Sequence, residues 1–233
     1  MKIVVLTGAG ISAESGIRTF RAADGLWEGH SVEDVATPEG YAANPRLVQN
    51  FYNERRAQLN SDSVSPNAAH DALVALENYA SEFLLVTQNV DNLHERAGSK
   101  QLLHMHGQLQ QVCCTRCGAS WQELDDISVH TVCQHCSAKG TVRPDIVWFG
   151  EIPKYMEEIS LALSQCDMFI SIGTSGHVYP AAGFVQIASS YGAQTLELNL
   201  EPSQTNTQFD QHVYGSASKI VPKFVGELIA HKL

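Results

Sequence analysis

The feature that most constrains the fold of this chain is a set of four cysteines arranged as two Cys-x2-Cys pairs. Cys114 and Cys117 form the first pair, Cys133 and Cys136 form the second, and 15 residues separate them. This spacing is typical of a tetrahedral zinc site, so the chain between the pairs must fold back and bring four sulfurs together. Because four thiolates leave no open coordination position, the sequence predicts one structural Zn²⁺ and not a catalytic metal. The alternative is a group of buried or redox-active thiols.

The net charge and the lengths of the apolar runs indicate where the protein is located and which classes of partner it can bind. The 233 residues include 15 basic and 25 acidic ones, a formal net charge of −10, so no global positive field is available to hold a nucleic-acid backbone. The apolar runs are far shorter than the roughly 18 to 20 residues that cross a bilayer, and the first residues leave no room for a signal peptide. We therefore expect a cytoplasmic protein without direct nucleic-acid or membrane partners, in which Cys113 and Cys166 are bystanders.

Apolar strand candidates that alternate with helical patterns predict an α/β fold. The strand candidates are residues 2–7, 83–87, 168–173 and 194–200, with weaker ones at 102–105 and 219–221. The helix candidates are residues 45–59, which Asn44 would cap, 66–80 and 180–191, each starting at a proline, and a helix from about Ile11. This order predicts a Rossmann-like, doubly wound parallel sheet.

Two segments do not fit the alternation, and we interpret them as insertions. Residues 31–65 are loop-rich and then helical, whereas residues 107–143 contain most of the cysteines. We expect the helical and zinc-ribbon insertions to form a smaller domain. Residues 1–30, 66–106 and 144–233 would then form the Rossmann-like domain.

A glycine motif follows the first strand candidate. Gly8-x-Gly10-x-x-Ala13 lies where a strand leads into a helix, the context in which a glycine turn lets a pyrophosphate approach the backbone. The alternative is a glycine-rich turn without a ligand. A dehydrogenase-type site also expects an acid about 20 residues further on, but that region is predicted to be a loop. Asn199-Leu200-Glu201, after a later strand, could supply the ribose contacts instead.

Polar residues also follow the other strand candidates. Gln88-Asn89-Val90-Asp91 comes directly after residues 83–87, at the sheet edge where ligands of open α/β sheets bind, although helix capping is an alternative role. His104 and His106 follow a short strand and would point to the same face, so their spacing cannot choose between them. Gly173-Thr174-Ser175 lacks the nucleophile elbow of serine hydrolases, and contact with phosphate or ribose is the simpler interpretation.

Together these blocks resemble the sirtuins, the NAD-dependent protein-lysine deacylases, over essentially the whole chain. The matching blocks are residues 8–21, Gly-Ala-Gly-Ile-Ser-Ala-Glu-Ser-Gly-Ile-Arg-Thr-Phe-Arg, then Gln88-Asn-Val-Asp91, His106-Gly107, the two cysteine pairs, Gly173-Thr-Ser175 and Asn199-Leu-Glu201. Tyr52-x-x-Arg55 further resembles the desuccinylase-type branch and its bacterial CobB-like members.

The resemblance implies roles for individual residues. NAD⁺ would bind as co-substrate between the two domains, with His106, Asn89 and Asp91 as the catalytic residues. The expected cofactor-binding residues are Gly8, Ala9, Gly10, Ile11, Ala13, Thr19, Phe20, Arg21, Trp27, Gln88, Asn89, Asp91, Gly173, Thr174, Ser175, Asn199, Leu200, Glu201 and Ala217. An acyl-lysine protein or peptide would enter as an added strand. The expected substrate-binding residues are Tyr52, Arg55, Val147, Phe149, Gly150, Gly176 and Val178.

The implied reaction moves an acyl group from lysine to ADP-ribose, giving nicotinamide, O-acyl-ADP-ribose and free lysine. His106 would act as general base on a ribose hydroxyl. On a helix, Tyr52 and Arg55 would share one face, with Arg56 turned elsewhere, and Arg55 would bind the distal carboxylate of a succinyl group. Removal of acetyl and succinyl groups is therefore expected. The alternatives are a mono-ADP-ribosyltransferase, a zinc-ribbon interaction module that binds NAD without catalysis, and a dehydrogenase.

Overall fold

The computed structural model describes residues 1–17 and 26–230. The strands are β1 (Lys2–Thr7), β2 (Leu26–Trp27), β3 (His30–Ser31), β4 (Glu82–Thr87), β5 (Leu102–His104), β6 (Gly107–Cys114), β7 (Ser120–Gln122), β8 (Val142–Ile146), β9 (Met168–Ile172), β10 (Gln194–Asn199) and β11 (Gln211–Tyr214). The helices are α1 (Ala9–Ser12), α2 (Val32–Val35), α3 (Pro38–Ala43), α4 (Pro45–Leu59), α5 (Ala68–Tyr79), α6 (Leu93–Ala97), α7 (Met156–Gln165), α8 (Phe184–Ser190) and α9 (Ala217–Ala230).

A parallel sheet forms the centre of the fold, in the order β11-β10-β9-β1-β4-β5 within the described residues. β1 is an uninterrupted apolar run because helices cover both faces of the sheet. Ile3 and Val5 pack with α5 and α9 on one face, whereas Val4 and Leu6 pack with α7 and α8 on the other. The predicted Rossmann-like, doubly wound sheet is confirmed.

A smaller antiparallel sheet carries the cysteine pairs. Its order is β7-β6-β8. α2 to α4 precede it in the chain, and α4 contributes Phe51 and Tyr52 to a separate apolar cluster that also contains Leu109 of β6 and Ile146 of β8. The division into two domains with the boundaries given above remains a proposal, and its boundary after residue 143 falls inside β8.

Several local predictions are confirmed, and others are wrong in part. α4 has the predicted bounds, and the Asn44 side chain accepts a hydrogen bond from the Leu47 N–H at 3.1 Å. α5 begins after Pro66, because Asn67 caps it. The first helix starts at Ala9 and continues into a 3-10 turn that ends at Gly16, whose φ is +88°.

The sixth strand of the parallel sheet was predicted in the wrong place. Residues 219–221 belong to helix α9, in which Val221 and Val225 are buried at helical spacing. The sixth strand is β11, at the edge beside β10. It is four residues long with every residue exposed, so it lacks the apolar run that marks a buried strand. Within the described ranges, no helix has the length and apolar content to cross a membrane.

The four cysteine sulfurs converge as the spacing predicts. All four lie within 4.8 Å of one another, with Sγ distances of 3.8 Å from Cys114 to Cys136 and 3.7 Å from Cys117 to Cys133. A tetrahedron with Zn–S bonds of about 2.3 Å has edges of about 3.8 Å, so the sulfur set fits one zinc ion. The backbone N–H groups of His135 and Cys136 point to the Cys133 sulfur, and neither His130 nor His135 belongs to the cluster.

We expect replacement of Cys133 by serine to remove the zinc and to unfold the β6–β8 region, because metal binding and folding are coupled in closed thiolate sites. Elemental analysis should give one zinc per native chain, and thermal melting should shift to clearly lower temperature in the variant. Cys113→Ser is the matched control, since Cys113 lies beside the cluster in β6 but outside it. Zinc-free native protein purified without chelator, or equal losses in both variants, would contradict the assignment.

Candidate active site

Two glycine loops meet at the carboxyl ends of β1 and β9, where the order of the parallel sheet reverses direction. The Gly8 N–H donates to the Ile172 carbonyl at 3.0 Å and the Gly10 N–H to the Gly173 carbonyl at 2.9 Å. A Cβ on Gly10 would lie 2.7 Å from the Gly173 Cα, so only glycine allows this contact. Ligands of open α/β sheets bind at such a switch point, and this edge is therefore the candidate cofactor site.

Asn89 and Asp91 bond to the first glycine loop from the neighbouring strand. The Asn89 side-chain amide donates to the Gly8 carbonyl at 3.1 Å and to the Ser12 hydroxyl at 3.2 Å. Ser12 donates in turn to Asp91 at 3.0 Å. Burial raises the pKa of Asp91, while hydrogen bonds from the Leu93 N–H and from Ser12 oppose that shift. Asp91 thus accepts a hydrogen bond from the start of α6, the helix-capping role considered above, and a second one from Ser12 in the first glycine loop.

His104 and His106, which their spacing in the sequence could not distinguish, have different surroundings in the structure. β5 ends at His104, so strand alternation does not extend to His106. His104 is buried, with Nδ1 3.1 Å from the Asn89 carbonyl and Nε2 2.7 Å from Glu95 Oε1, and both of its nitrogens are engaged.

His106 has one nitrogen left for chemistry. Its Nδ1 lies 3.2 Å from the Gln88 carbonyl, which can only accept a hydrogen bond, so Nδ1 carries the proton and Nε2 carries the lone pair. Burial lowers the pKa of His106, and the bond to the Gln88 carbonyl opposes this shift. The side chain is therefore a neutral base near pH 7.

Further polar groups line the same sheet edge after β9, β10 and β11. The Asn199 side-chain amide donates to the Thr174 carbonyl at 2.8 Å, and its carbonyl oxygen accepts from the Leu200 N–H at 2.9 Å. Ser175 and Glu201 are exposed, and Ala217 begins α9. Glu14, which the sequence did not single out, accepts from the Ser218 N–H and hydroxyl and so ties α9 to the first loop.

A small cavity of about 50 Å³ lies beside Asp91. It is lined by Ile17, Trp27, Glu28, Arg55, Gln58, Leu59, Val90, Asp91 and Leu109. The Arg55 side chain is 15% exposed and its guanidinium carbon lies 4.7 Å from the centre of the Phe51 ring. Nη2 contacts Glu54 at 3.2 Å, while Nε and Nη1 are buried without a hydrogen-bond partner in the described part of the chain.

Tyr52 lies behind this cavity and does not line it. The phenol is fully buried, and its oxygen accepts a hydrogen bond from Trp148 Nε1 at 2.9 Å. Burial raises the pKa of Tyr52, so the hydroxyl keeps its proton. Arg56 does turn elsewhere, because its Nε donates to the Leu109 carbonyl at 3.0 Å. Trp148 was not predicted, since its role depends on a contact across 96 positions of the chain.

The segments expected to pair with a substrate strand are partly occupied by internal bonds. The N–H groups of Val147 and Phe149 donate to the His106 and Ala36 carbonyls, and Trp148 donates to Glu151. Gly150 is exposed, while Gly176 and Val178 are half-buried. Thr19, Phe20 and Arg21 lie outside the described residues.

Comparison with known proteins agrees with this geometry. The model of the Sir2 family matches residues 8–180. A protein of Pasteurella multocida named NAD-dependent protein deacylase is 61% identical over 230 residues, covering 98% of each chain.

Two solved structures share the fold. One is a Sir2 homolog in complex with NAD, with a TM-score of 0.88 and 35% identity, covering 99% of this chain and 90% of the other. Another is Sir2 bound to an acetylated peptide, with a TM-score of 0.81 and 28% identity, covering 97% and 92%. This chain belongs to the Sir2 family, the sirtuins.

Proposed function

We propose that this chain is an NAD-dependent protein-lysine deacylase that removes acetyl and succinyl groups. The observation that carries the proposal is the free Nε2 of His106 beside a sheet edge that fits a dinucleotide. The relatives named above, an NAD-dependent deacylase and sirtuins bound to NAD and to an acetylated peptide, support the same assignment. A cytoplasmic location remains a prediction.

The residues at the sheet edge suit a bound NAD⁺. Glycines at positions 8, 10 and 173 let the two loops pack backbone against backbone, and the lack of side chains at these positions lets a pyrophosphate approach. Asn89 and Asp91 are held in place by Ser12 and would contact the ribose next to nicotinamide, while Asn199, Thr174 and Ser175 would contact the adenosine side. When bound, NAD⁺ supplies an ADP-ribosyl group that releases nicotinamide and receives the acyl group.

His106 would take a proton at Nε2 from a ribose hydroxyl. The Gln88 carbonyl fixes the ring orientation and the tautomer, because it accepts the Nδ1 proton at 3.2 Å. The lowered pKa of His106 keeps the imidazole neutral and able to accept that proton.

Arg55 supplies the preference for acidic acyl groups. A buried guanidinium with unpaired N–H groups is costly, and a carboxylate in the cavity would satisfy Nε and Nη1 together. Tyr52 accepts a hydrogen bond from Trp148 and still has its own proton to donate. In this proposal the succinyl carboxylate binds Arg55 in the cavity, with the buried Tyr52 behind the cavity wall, whereas an acetyl group has no carboxylate to place there.

Replacement of His106 by alanine should lower NAD-dependent deacylation by about 10² to 10⁴-fold, the usual contribution of a general base. Zinc content and thermal stability should stay close to native. The control is His130→Ala, because His130 is exposed in the cysteine-bearing region and far in sequence from the site. His104 is unsuitable as a control, since it is buried and bonded to Asn89. Full activity without His106 would exclude the base role.

The pH profile of kcat/KM should show an acidic limb with a midpoint below 6.5, the ordinary pKa of histidine. The sign follows from burial, which disfavours the charged imidazolium and lowers the pKa of His106. The base therefore stays active as the pH falls below 6.5 and is lost only on protonation at more acidic pH. A limb above 7 would contradict the proposed environment of the ring.

Replacement of Arg55 by methionine should lower kcat/KM for desuccinylation by roughly 10 to 150-fold, because a hydrogen bond to a charged group contributes about 1.5 to 3 kcal/mol. Acetyl-lysine has no distal carboxylate, so its turnover should change only a few-fold. Arg46→Met is the matched control, the same substitution at an exposed position in the first turn of α4. Parallel losses on acetyl and succinyl peptides would show that Arg55 supports the fold or the cofactor site instead.

A further inference from the structure

His70 and His94 form a buried pair behind the candidate site. Neither side chain is exposed to solvent, and their ring centroids are 4.9 Å apart with planes inclined by 56°. Each ring has one nitrogen in a hydrogen bond. The other nitrogen, Nε2 of His70 and Nδ1 of His94, is buried without a partner among the described residues. Two neighbouring buried imidazoles that each lack a partner are unusual, because buried polar atoms are normally satisfied.

The hydrogen bonds of the pair fix which nitrogen carries each proton. His70 Nδ1 accepts from the Asn67 N–H at 3.2 Å, so the His70 proton is on Nε2. Thr7 donates its hydroxyl proton to Thr87 at 2.8 Å and lies 3.0 Å from His94 Nε2. The Thr7 oxygen must then accept from His94, which places the His94 proton on Nε2 as well. The two remaining nitrogens are therefore a donor on His70 and an acceptor on His94.

The chain of bonds continues from His94 to the candidate catalytic residues. Thr87 Oγ1 accepts from the Asn89 N–H at 3.1 Å, and the Asn89 side chain donates to the Gly8 carbonyl and to Ser12. Thr7 and Thr87 are the last residues of β1 and β4 and face each other in register. His94 is thus connected to Asn89 through two buried threonine hydroxyls.

The chain continues from His70 to the far end of the first glycine loop. His70 accepts from the backbone of Asn67, whose side-chain amide donates to the Ile11 carbonyl and to the Ser15 hydroxyl, both at 2.8 Å. The loop at residues 8–15 is thereby held at one end by Asn89 and at the other by Asn67. The two histidines lie between these anchors.

We propose that His70 and His94 are positioning residues that hold Asn89 and the first glycine loop in the geometry required for nucleotide binding. They act as a packed pair of neutral Nε2–H tautomers, in which His70 keeps an unpaired donor and His94 an unpaired acceptor among the described residues. Neither ring contacts the nucleotide in this proposal, which rests on the proposed function for the identity of the ligand. Burial lowers the pKa of both rings, that of His70 to about 4, in accord with two neutral imidazoles.

The first test is spectroscopic and requires no ligand or turnover. Long-range proton–nitrogen NMR correlations of the native protein at pH 7, with the two rings assigned by His70→Gln and His94→Gln, should show Nε2–H tautomers for both. A cationic ring or an Nδ1–H tautomer on either residue would overturn the proposal.

The second test separates positioning from general stability. His94→Leu removes the bond to Thr7, and we expect it to weaken ADP-ribose binding about tenfold in calorimetry and to lower kcat/KM for acetyl-lysine peptides by a similar factor. His94→Gln keeps an amide N–H for Thr7 and should recover most of the binding. Leu76→Val is the control, a buried change in α5, the helix that carries His70, and it should lower the melting temperature without changing ADP-ribose affinity.

The outcomes distinguish this inference from the proposed function. Native protein that binds ADP-ribose but never deacylates a peptide would refute the deacylase assignment alone. Native protein that does both, while His94→Leu binds ADP-ribose as tightly as Leu76→Val, would overturn the positioning role. If His94→Leu fails to fold, the comparison of His94→Gln with His94→Asn serves instead, because the shorter amide cannot reproduce the Nε2 position and should bind more weakly.

Discussion

The contact between Gly10 and Gly173 fixes the geometry on which the rest of the site depends. It joins the loops that leave β1 and β9, two adjacent parallel strands, through the bond from the Gly10 N–H to the Gly173 carbonyl. Gly173 has a φ of +63° and a Cβ there would lie 2.5 Å from the Ile11 nitrogen, so a side chain at either position would force the loops apart. The first glycine motif is therefore required by the packing of one loop on another, as well as by the approach of a phosphate. Asn89 and Asn199 bond to backbone carbonyls of these two loops, at Gly8 and Thr174 respectively.

Hydrogen bonds to other protein atoms fix several polar side chains of the site, whereas His106 keeps one nitrogen available to accept a proton. Asn89, Ser12 and His104 form side-chain hydrogen bonds to other protein atoms, which fix their positions. His106 differs because one nitrogen is used for orientation and the other is not. This difference, more than the identity of the residue, distinguishes His106 from the neighbouring His104. The difference arises because β5 ends at His104, before His106, so the two-residue repeat of a strand does not predict the orientation of His106.

Local signals in the sequence predicted most of the fold, and the failures have physical causes. The buried strands β1, β4 and β9 are apolar runs with clear ends, and α4 carries a capping asparagine and a proline at its start, so all four were found within a residue. β11 was missed because an exposed edge strand needs no apolar run. Residues 219–221 were wrongly predicted to be a strand because β-branched residues also occur in amphipathic helices. The four cysteines were predictable because a metal requires fixed spacing. The links from Trp148 to Tyr52 and from Glu14 to Ser218 join residues distant in sequence, and no local pattern indicates them.

Arg55 and Arg56 show how two identical neighbours acquire opposite roles from one helix. Arg56 is almost fully buried, and its guanidinium is bonded to the Leu109 and Asp125 carbonyls and to Asn53, so it ties α4 to β6 and to the loop that follows β7. Arg55 lies one residue earlier, about 100° away around the helix axis. It lines the small cavity, and its Nε and Nη1 are buried without a hydrogen-bond partner among the described residues. Its Nη2 contacts the exposed Glu54 carboxylate at 3.2 Å, but the two buried N–H groups without an acceptor remain unfavourable. Arg56 also leaves its buried Nη2 without a hydrogen-bond partner among the described residues, so the feature that distinguishes Arg55 is its position in the lining of the cavity.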